Sequence, residues 1–204
     1  MTEPRTADLL ALDPEAQDLL FREARTANAF TDEPVAEEQL QAIYDLVKWA
    51  PTSMNIQPLR VVLVQSGEAR ERLLPHLAEG NRAKTGSAPA VAVLAVDTEF
   101  HEELPRTFPH VPAAKDMFAA DDDFRCRAGE LNAALQVGYF ILGVRAAGLA
   151  AGPMTGFDTD GVTREFLDPN RQRALVVVNI GYPAEDAWAH RLPRLDYDEV
   201  VTTV

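Results

Sequence analysis

The chain has 204 residues, of which 47% are hydrophobic and 25% are charged, as in an ordinary globular domain. Its formal net charge of −13 repels nucleic acid and anionic membranes, which argues against both as partners. The single cysteine, Cys126, excludes an internal disulfide and a thiol-pair zinc site, and it favours a reducing cytoplasm. The N-terminal sequence lacks the apolar region of a signal peptide, and the most apolar run, residues 131–144, is too short to cross a membrane. We therefore expect a single cytoplasmic domain that spans residues 1–204.

The first half of the chain predicts three helices and two buried strands. Asp13 and Pro14 supply an N-cap and a proline at the first helical position, for a helix that runs to about residue 24. Apolar residues at helical spacing predict a second helix between Pro34 and Pro51. The continuous apolar runs 61–64 and 90–96 predict buried strands, with a short helix from residue 66 to about residue 77 between them. The stretch EGNRAKTGSAP, residues 79–89, predicts a polar connection.

The second half of the chain combines one irregular segment with one long helix. Residues 98–123 mix Phe, Pro and charges without a period, so we predict a mobile excursion that covers a site as a substrate lid. Residues 123–147 predict the longest helix, whose second half is apolar nearly all round and therefore suits a core or an interface. GLAAGPMTGFD, residues 148–158, predicts a turn region. The remaining predictions are a brief helix at 158–166, a third strand at 174–180, and a polar tail at 186–204 that packs on another surface or subunit.

The common catalytic signatures do not occur in this sequence. The four histidines lack metal-ligand spacing, and there is no nucleophile elbow, Walker A motif or dinucleotide fingerprint. Four polar stretches remain beside predicted elements: RTANAF, PTSMNIQP, EGNRAK and GPMTGF. Taken singly, each is better explained as a turn, a helix end or a surface charge. Together they offer cations, hydroxyls and amides that suit a planar heterocycle with a phosphate, so we expect a cofactor to carry the reaction.

The order and spacing of RTANAF, KWAPTSMNIQP, GPMTGFD, NIGY and RLPRL resemble the FMN-dependent nitroreductase family over nearly the whole chain. The chain most resembles its HadB/RutE branch, which includes the malonic semialdehyde reductase of pyrimidine breakdown. The resemblance implies an α+β fold, with a central mixed, mainly antiparallel sheet flanked by helices, in an intertwined homodimer. It also implies two FMN molecules at the dimer interface, each contacted by both chains.

The resemblance further implies which residues of this chain bind FMN. The phosphate and the ribityl chain would lie at Arg25, Thr26, Asn28 and Arg191, with Arg194 as a weaker candidate. The residues implied for the flavin ring are Pro51, Thr52, Ser53 and Asn55 from the partner chain, Asn81 and Lys84 at the pyrimidine edge, and Pro153, Met154, Thr155 and Gly156 beside N5. Many members of the family have Glu where this chain has Thr155.

The implied activity is ping-pong hydride transfer. NAD(P)H would give hydride to flavin N5, and a small electrophile would then accept it. The electrophile is an aldehyde acid such as malonic semialdehyde, or a nitroaromatic, quinone or enone, and the sequence does not separate these classes. Two alternatives of another kind remain: a flavin storage or sensor protein without turnover, and a dimer that binds a different anion.

Overall fold

The computed structural model describes residues 10–204, which fold around a four-stranded sheet. The strands are β1 (Leu59–Val64), β2 (Ala90–Asp97), β3 (Ala150–Met154) and β4 (Gln172–Gly181). Their order across the sheet is β1-β2-β4-β3, and each of the three pairings is antiparallel. This confirms the mainly antiparallel sheet flanked by helices, and the described residues contain no parallel pair. β3 and β1 therefore form opposite edges.

Helices lie before, between and after the strands. They are α1 (Pro14–Gln17), which continues as a π-helix over Asp18–Arg22, α2 (Glu37–Val47), α3 (Gly67–Leu73), α4 (Glu79–Ser87), α5 (Leu104–Thr107), α6 (Ala114–Ala119), α7 (Asp122–Ala146), α8 (Thr159–Phe166) and α9 (Tyr197–Val200). Short 3-10 turns occur at Ser53–Asn55, Leu74–His76 and Phe100–Glu103. Asp13 caps α1 as predicted, since its side chain accepts the N–H of Ala16 at 2.8 Å.

The sheet is covered on both faces, which explains why β2 is buried at every position. Val91 and Val93 face a cluster that includes residues of α3 and α8. The alternate positions of β2 face α2 and α7, whose buried side chains include Ile43 and Phe140. At Gly143 the side chain of Val47 packs directly on the backbone of α7, and a Cβ on Gly143 would overlap Val47 Cγ1.

Residues 98–121 form a small packed unit, so the prediction of an irregular excursion is wrong. They contain the 3-10 turn at 100–103 together with α5 and α6. Phe100, Leu104 and Phe118 pack with Ile56 in a cluster separate from the two sheet faces. Arg125 reaches both ends of the unit, donating to the carbonyl oxygens of Thr98 and Phe118, each at 3.0 Å. Helices of four to six residues are too short to show a period in the sequence, which explains the error.

Two segments predicted as connections are regular elements. Residues 79–87 form α4, although two glycines and few apolar residues hide the helical pattern. Residues 150–154 form β3 rather than a turn, since its pairing with β4 outweighs the weak strand propensity of glycine and proline. Pro153 is tolerated because β3 is an edge strand, where a missing N–H breaks no ladder.

Several apolar side chains remain uncovered in the single chain. Residues 188–204 are exposed throughout and contain only the four-residue α9, so the tail has no core of its own, as predicted. α7 has one buried face and one exposed apolar stripe, formed by Leu131, Leu135 and Tyr139. Within residues 10–204 there is no helix of sufficient length and apolar character to span a membrane.

Candidate functional site

Backbone pairing between the N-terminal region and the tail brings together the two arginines predicted to bind phosphate. Ala27 forms a β-bridge with Trp188, and the N–H of Asn28 donates to Ala187 O at 2.9 Å. Arg25 Nη1 then lies 3.5 Å from Ala189 O, and Arg191 Nη2 lies 3.4 Å from Ala24 O. Thr26 and Asn28 are exposed on either side of the bridge. Two guanidinium groups from opposite ends of the chain thus share one surface, an arrangement that suits a phosphate.

Trp188 orients Arg25, and the sequence gives no sign of this. The Cζ of Arg25 lies 5.3 Å from the centre of the Trp188 ring, within range of a cation–π interaction. Arg25 Nε is buried and has no hydrogen-bond partner among the described residues. A buried donor without a partner is costly, so an anionic ligand at this position would relieve the cost.

The second group of predicted residues lies at the outer edge of β3. Asn81 Nδ2 donates to Gly156 O at 2.8 Å, and the N–H of Ala78 donates to the same oxygen at 3.0 Å. A Cβ on Gly156 would lie only 2.8 Å from Asn81 Nδ2, so this contact requires glycine. Lys84 follows Asn81 by one turn on the same side of α4, and its ammonium forms no ion pair among residues 10–204.

The chain joins these two groups across β3. Ala27 donates its N–H to Ala151 O at 3.1 Å, and Ala27 O lies so close to Gly152 that a Cβ there would be 2.8 Å away. Beyond these, Pro153 is half-buried, Thr155 and Gly156 are exposed, and Met154 is buried with its sulfur 3.8 Å from Thr85 Oγ1. The backbone after β3 is therefore accessible beside Asn81, with the arginines further along the same edge.

The third group, Pro51 to Asn55, does not join the other two within one chain. It precedes β1 and therefore lies at the opposite edge of the sheet. Three strand spacings separate the edges, a distance of roughly 14 Å. The contacts of this loop are with α7 and with Thr107, whose carbonyl oxygen accepts from Asn55 Nδ2 at 2.8 Å. Met54 and Ile56 turn toward the protein and pack in the cluster of residues 98–121.

Comparison with known proteins identifies the fold. Residues 21–182 match the model of the nitroreductase family. The chain belongs to the nitroreductase family. The chain is 66% identical, over 96% of its length and 99% of the other chain, to a Streptomyces griseus subsp. griseus protein provisionally named NADH dehydrogenase/NAD(P)H nitroreductase.

Two solved structures share the fold of this chain. One is a protein of Exiguobacterium sibiricum, provisionally described as a nitroreductase and solved in complex with FMN. It has a TM-score of 0.84 and 17% identity, over 95% of this chain and 98% of that chain. The other is CLA-ER, an enone reductase of gut-bacterial fatty acid saturation, with a TM-score of 0.80 and 20% identity, over 94% and 99% of the two chains. At these identities the likeness establishes only the fold of the chain.

Proposed function

We propose that this chain is an FMN-dependent oxidoreductase that takes hydride from NAD(P)H and reduces a small electrophile. The observation that carries the proposal is the edge of β3, where Arg25 and Arg191 lie at one end and Asn81 and Lys84 at the other. A flat heterocycle with a phosphate tail needs both kinds of donor. The names of the relatives and the FMN bound to the Exiguobacterium protein support this choice of cofactor.

The side chains at this edge suit the chemistry of FMN. The buried, unpartnered Nε of Arg25 and the guanidinium of Arg191 would hold the phosphate. Asn81, fixed by Gly156 O, keeps its own carboxamide oxygen available, and Lys84 would stabilise negative charge that develops nearby. When bound, FMN supplies the two-electron hydride chemistry that the side chains lack. The protein would contribute binding, orientation and charge.

We also propose that the protein is a homodimer in the cytoplasm and that each site is shared between two copies. The loop at 51–55 lies at the sheet edge opposite β3, so a second copy would have to supply it. The exposed stripe Leu131, Leu135 and Tyr139 and the exposed tail offer apolar area that a second copy would cover. Native mass spectrometry during dilution tests the dimer, and a flavin-loaded monomer would contradict the shared site.

The electrophile falls into one of two chemical classes. An aldehyde acid such as malonic semialdehyde is one, and a nitroaromatic, quinone or enone is the other. The relatives named NAD(P)H nitroreductase and the fold shared with an enone reductase support the second class. The branch that the sequence most resembles supports the first.

Anaerobic stopped-flow spectroscopy tests the activity and separates these classes. The purified protein is mixed with NADH, and the visible flavin absorbance is followed. It is then mixed with malonic semialdehyde or with a nitroaromatic. We expect fast bleaching by NADH, and fast recovery with the physiological class of acceptor alone. A flavin band that NADH leaves unchanged would favour a storage or sensor protein, and the absence of a band would contradict the flavin site.

A further inference from the structure

The loop between residues 52 and 57 has an unusual backbone. Met54, Asn55 and Gln57 have φ angles of 50°, 52° and 42°, a left-handed conformation that residues other than glycine rarely adopt. Three such residues within four positions are unfavourable in isolation, and they persist only where the surroundings hold them. The contacts of this loop therefore show what fixes its shape.

Two buried carboxamides on α7 hold the ends of the loop. Asn132 and Gln136 are 4% and 8% exposed and stand one helical turn apart on the same face. Asn132 Oδ1 accepts the N–H of Ser53 at 2.7 Å, and Gln136 Oε1 accepts the N–H of Leu59 at 3.0 Å. Asn132 Nδ2 donates to Ala128 O in its own helix at 2.8 Å, so its oxygen must face the loop. The loop is thus attached to the helix both before and after its left-handed residues.

The middle of the loop is held from the other side. Ile56 is buried among Phe100, Leu104 and Phe118, and Asn55 donates to Thr107 O. Residues 98–121 therefore contact the loop directly at its left-handed residues. A displacement of the loop from α7 would be transmitted to this unit.

We propose that Asn132 and Gln136 are positioning residues of the oxidoreductase, which hold residues 52–55 in the shape that meets the cofactor. This inference rests on the proposed function, because it assigns the loop to the flavin. If either oxygen is removed, the N–H of Ser53 or of Leu59 loses its acceptor in the protein, and the loop relaxes from its left-handed conformation. Cofactor binding weakens as a result, although neither side chain is among those expected to touch FMN.

The test compares three variants of the full-length protein. Asn132→Leu removes the accepting oxygen at similar side-chain volume, and Asn132→Asp keeps an accepting oxygen. Val144→Ala is the matched control, since Val144 is buried on the same helix but packs in the cluster that faces α2. FMN affinity is measured by fluorescence titration, and hydrogen–deuterium exchange is measured in peptides that cover residues 50–60.

We expect Asn132→Leu to raise the FMN dissociation constant about tenfold, equivalent to about 1.4 kcal/mol, and to speed exchange in residues 50–60. Asn132→Asp keeps the accepting oxygen but places a second oxygen against Ala128 O in place of the Nδ2 donor, so its affinity should lie between those of Asn132→Leu and the wild type. Val144→Ala should lower the melting temperature and leave both readouts of the folded protein unchanged. If Asn132→Leu does not fold, Gln136→Met removes the second oxygen at similar volume and is measured in the same way.

The outcomes separate this inference from the proposed function. Wild-type protein that binds FMN and is reduced by NADH, together with a Leu variant of unchanged affinity and exchange, would overturn the positioning role alone. Wild-type protein without FMN affinity would overturn the proposed function, and with it the role of the loop at the cofactor. Equal loss of affinity in Asn132→Leu and Val144→Ala would reduce the effect to general destabilisation and also overturn the inference.

Discussion

Gly143 gives the sharpest stability prediction, since it lies where α7 packs against α2. A Cβ at this position would overlap Val47 Cγ1 and lie 3.3 Å from Ile43 Cγ2. Val47 is branched at Cβ and has one strongly preferred rotamer in a helix, so it cannot rotate away at low cost. Ile43 O is 3.7 Å away, an ordinary van der Waals contact, so the strain falls on the side chains of Val47 and Ile43. We therefore predict that Gly143→Ala destabilises the fold.

The magnitude follows from two opposing effects. An extra methyl in a well-packed core costs about 1–3 kcal/mol, and the overlap with a stiff side chain favours the upper half of that range. The replacement of glycine inside a helix returns up to about 1 kcal/mol. The net loss should be about 1–2 kcal/mol. In a domain of this size that corresponds to a melting temperature lower by roughly 2–8 °C.

Urea unfolding at fixed protein and FMN concentrations measures this loss. The control is Gly67→Ala in the first turn of α3, where an added Cβ meets open space among the described residues. That variant should be neutral or gain up to about 1 kcal/mol, and a loss as large as that of Gly143→Ala would contradict the steric explanation. Val47→Ala combined with Gly143→Ala should be more stable than the sum of the single changes predicts. Additive single changes would refute the steric explanation.

Three further predictions concern the cofactor and pH. Arg191→Ala should weaken FMN binding about ten- to a hundredfold in a fluorescence titration, because a charge-assisted bond is lost, and full affinity would remove the phosphate role. Lys84→Ala should lower the flavin midpoint potential in a redox titration, since a cation stabilises the reduced flavin, and an unchanged potential would contradict this. Burial, and secondarily Arg125, lowers the pKa of His101 below its ordinary value of 6.5. The pKa of His101 is lower in the folded state than in the unfolded state, so its contribution to stability is present above about pH 6.5 and is lost as the pH falls. Between about pH 6.5 and about pH 5, the free energy of unfolding should therefore fall more in the wild type than in His101→Gln. Parallel urea curves across that range would contradict it.

The parts of the fold that the sequence predicts are those marked by local composition. The strands at 61–64, 90–96 and 174–180 are apolar at every position except Asn179, and this pattern predicts their location. Only the strand at 90–96 is buried throughout, whereas Leu63 of β1 is exposed, so the prediction of a buried strand at 61–64 is wrong for the single chain. The observed strands β1 and β4 begin two residues earlier, at Leu59 and Gln172, because the ladder continues past Arg60 and Arg173, whose charged side chains interrupt the apolar pattern. The long helix α7 is also predicted from local sequence, since its twenty-five residues and its N-cap Asp121 indicate a helix without reference to any distant contact.

The parts that the sequence does not predict depend on contacts distant in the chain. β3 exists because β4 pairs with it, and Trp188 meets Arg25 because the tail returns to residue 27. Neither pairing produces a recognisable pattern in the sequence. Asn132 and Gln136 do form such a pattern. Two amides at helical spacing inside an apolar run predict a buried polar partner, since buried carboxamides rarely lack hydrogen bonds.

The guanidinium of Arg125 closes residues 98–121 into a ring, because it binds carbonyl oxygens near both ends. An insert whose ends are joined in this way, and whose interior has its own apolar cluster, adds little strain to the sheet that bears it. Its closure entropy also changes only slowly with length, by about 0.6 kcal/mol for each doubling. Such an insert can lengthen, shorten or change its side chains during evolution while the arginine pair at the other sheet edge stays as it is. Its contacts with the loop at 52–57 would carry such changes to that loop, whereas the arginine pair has no such contact.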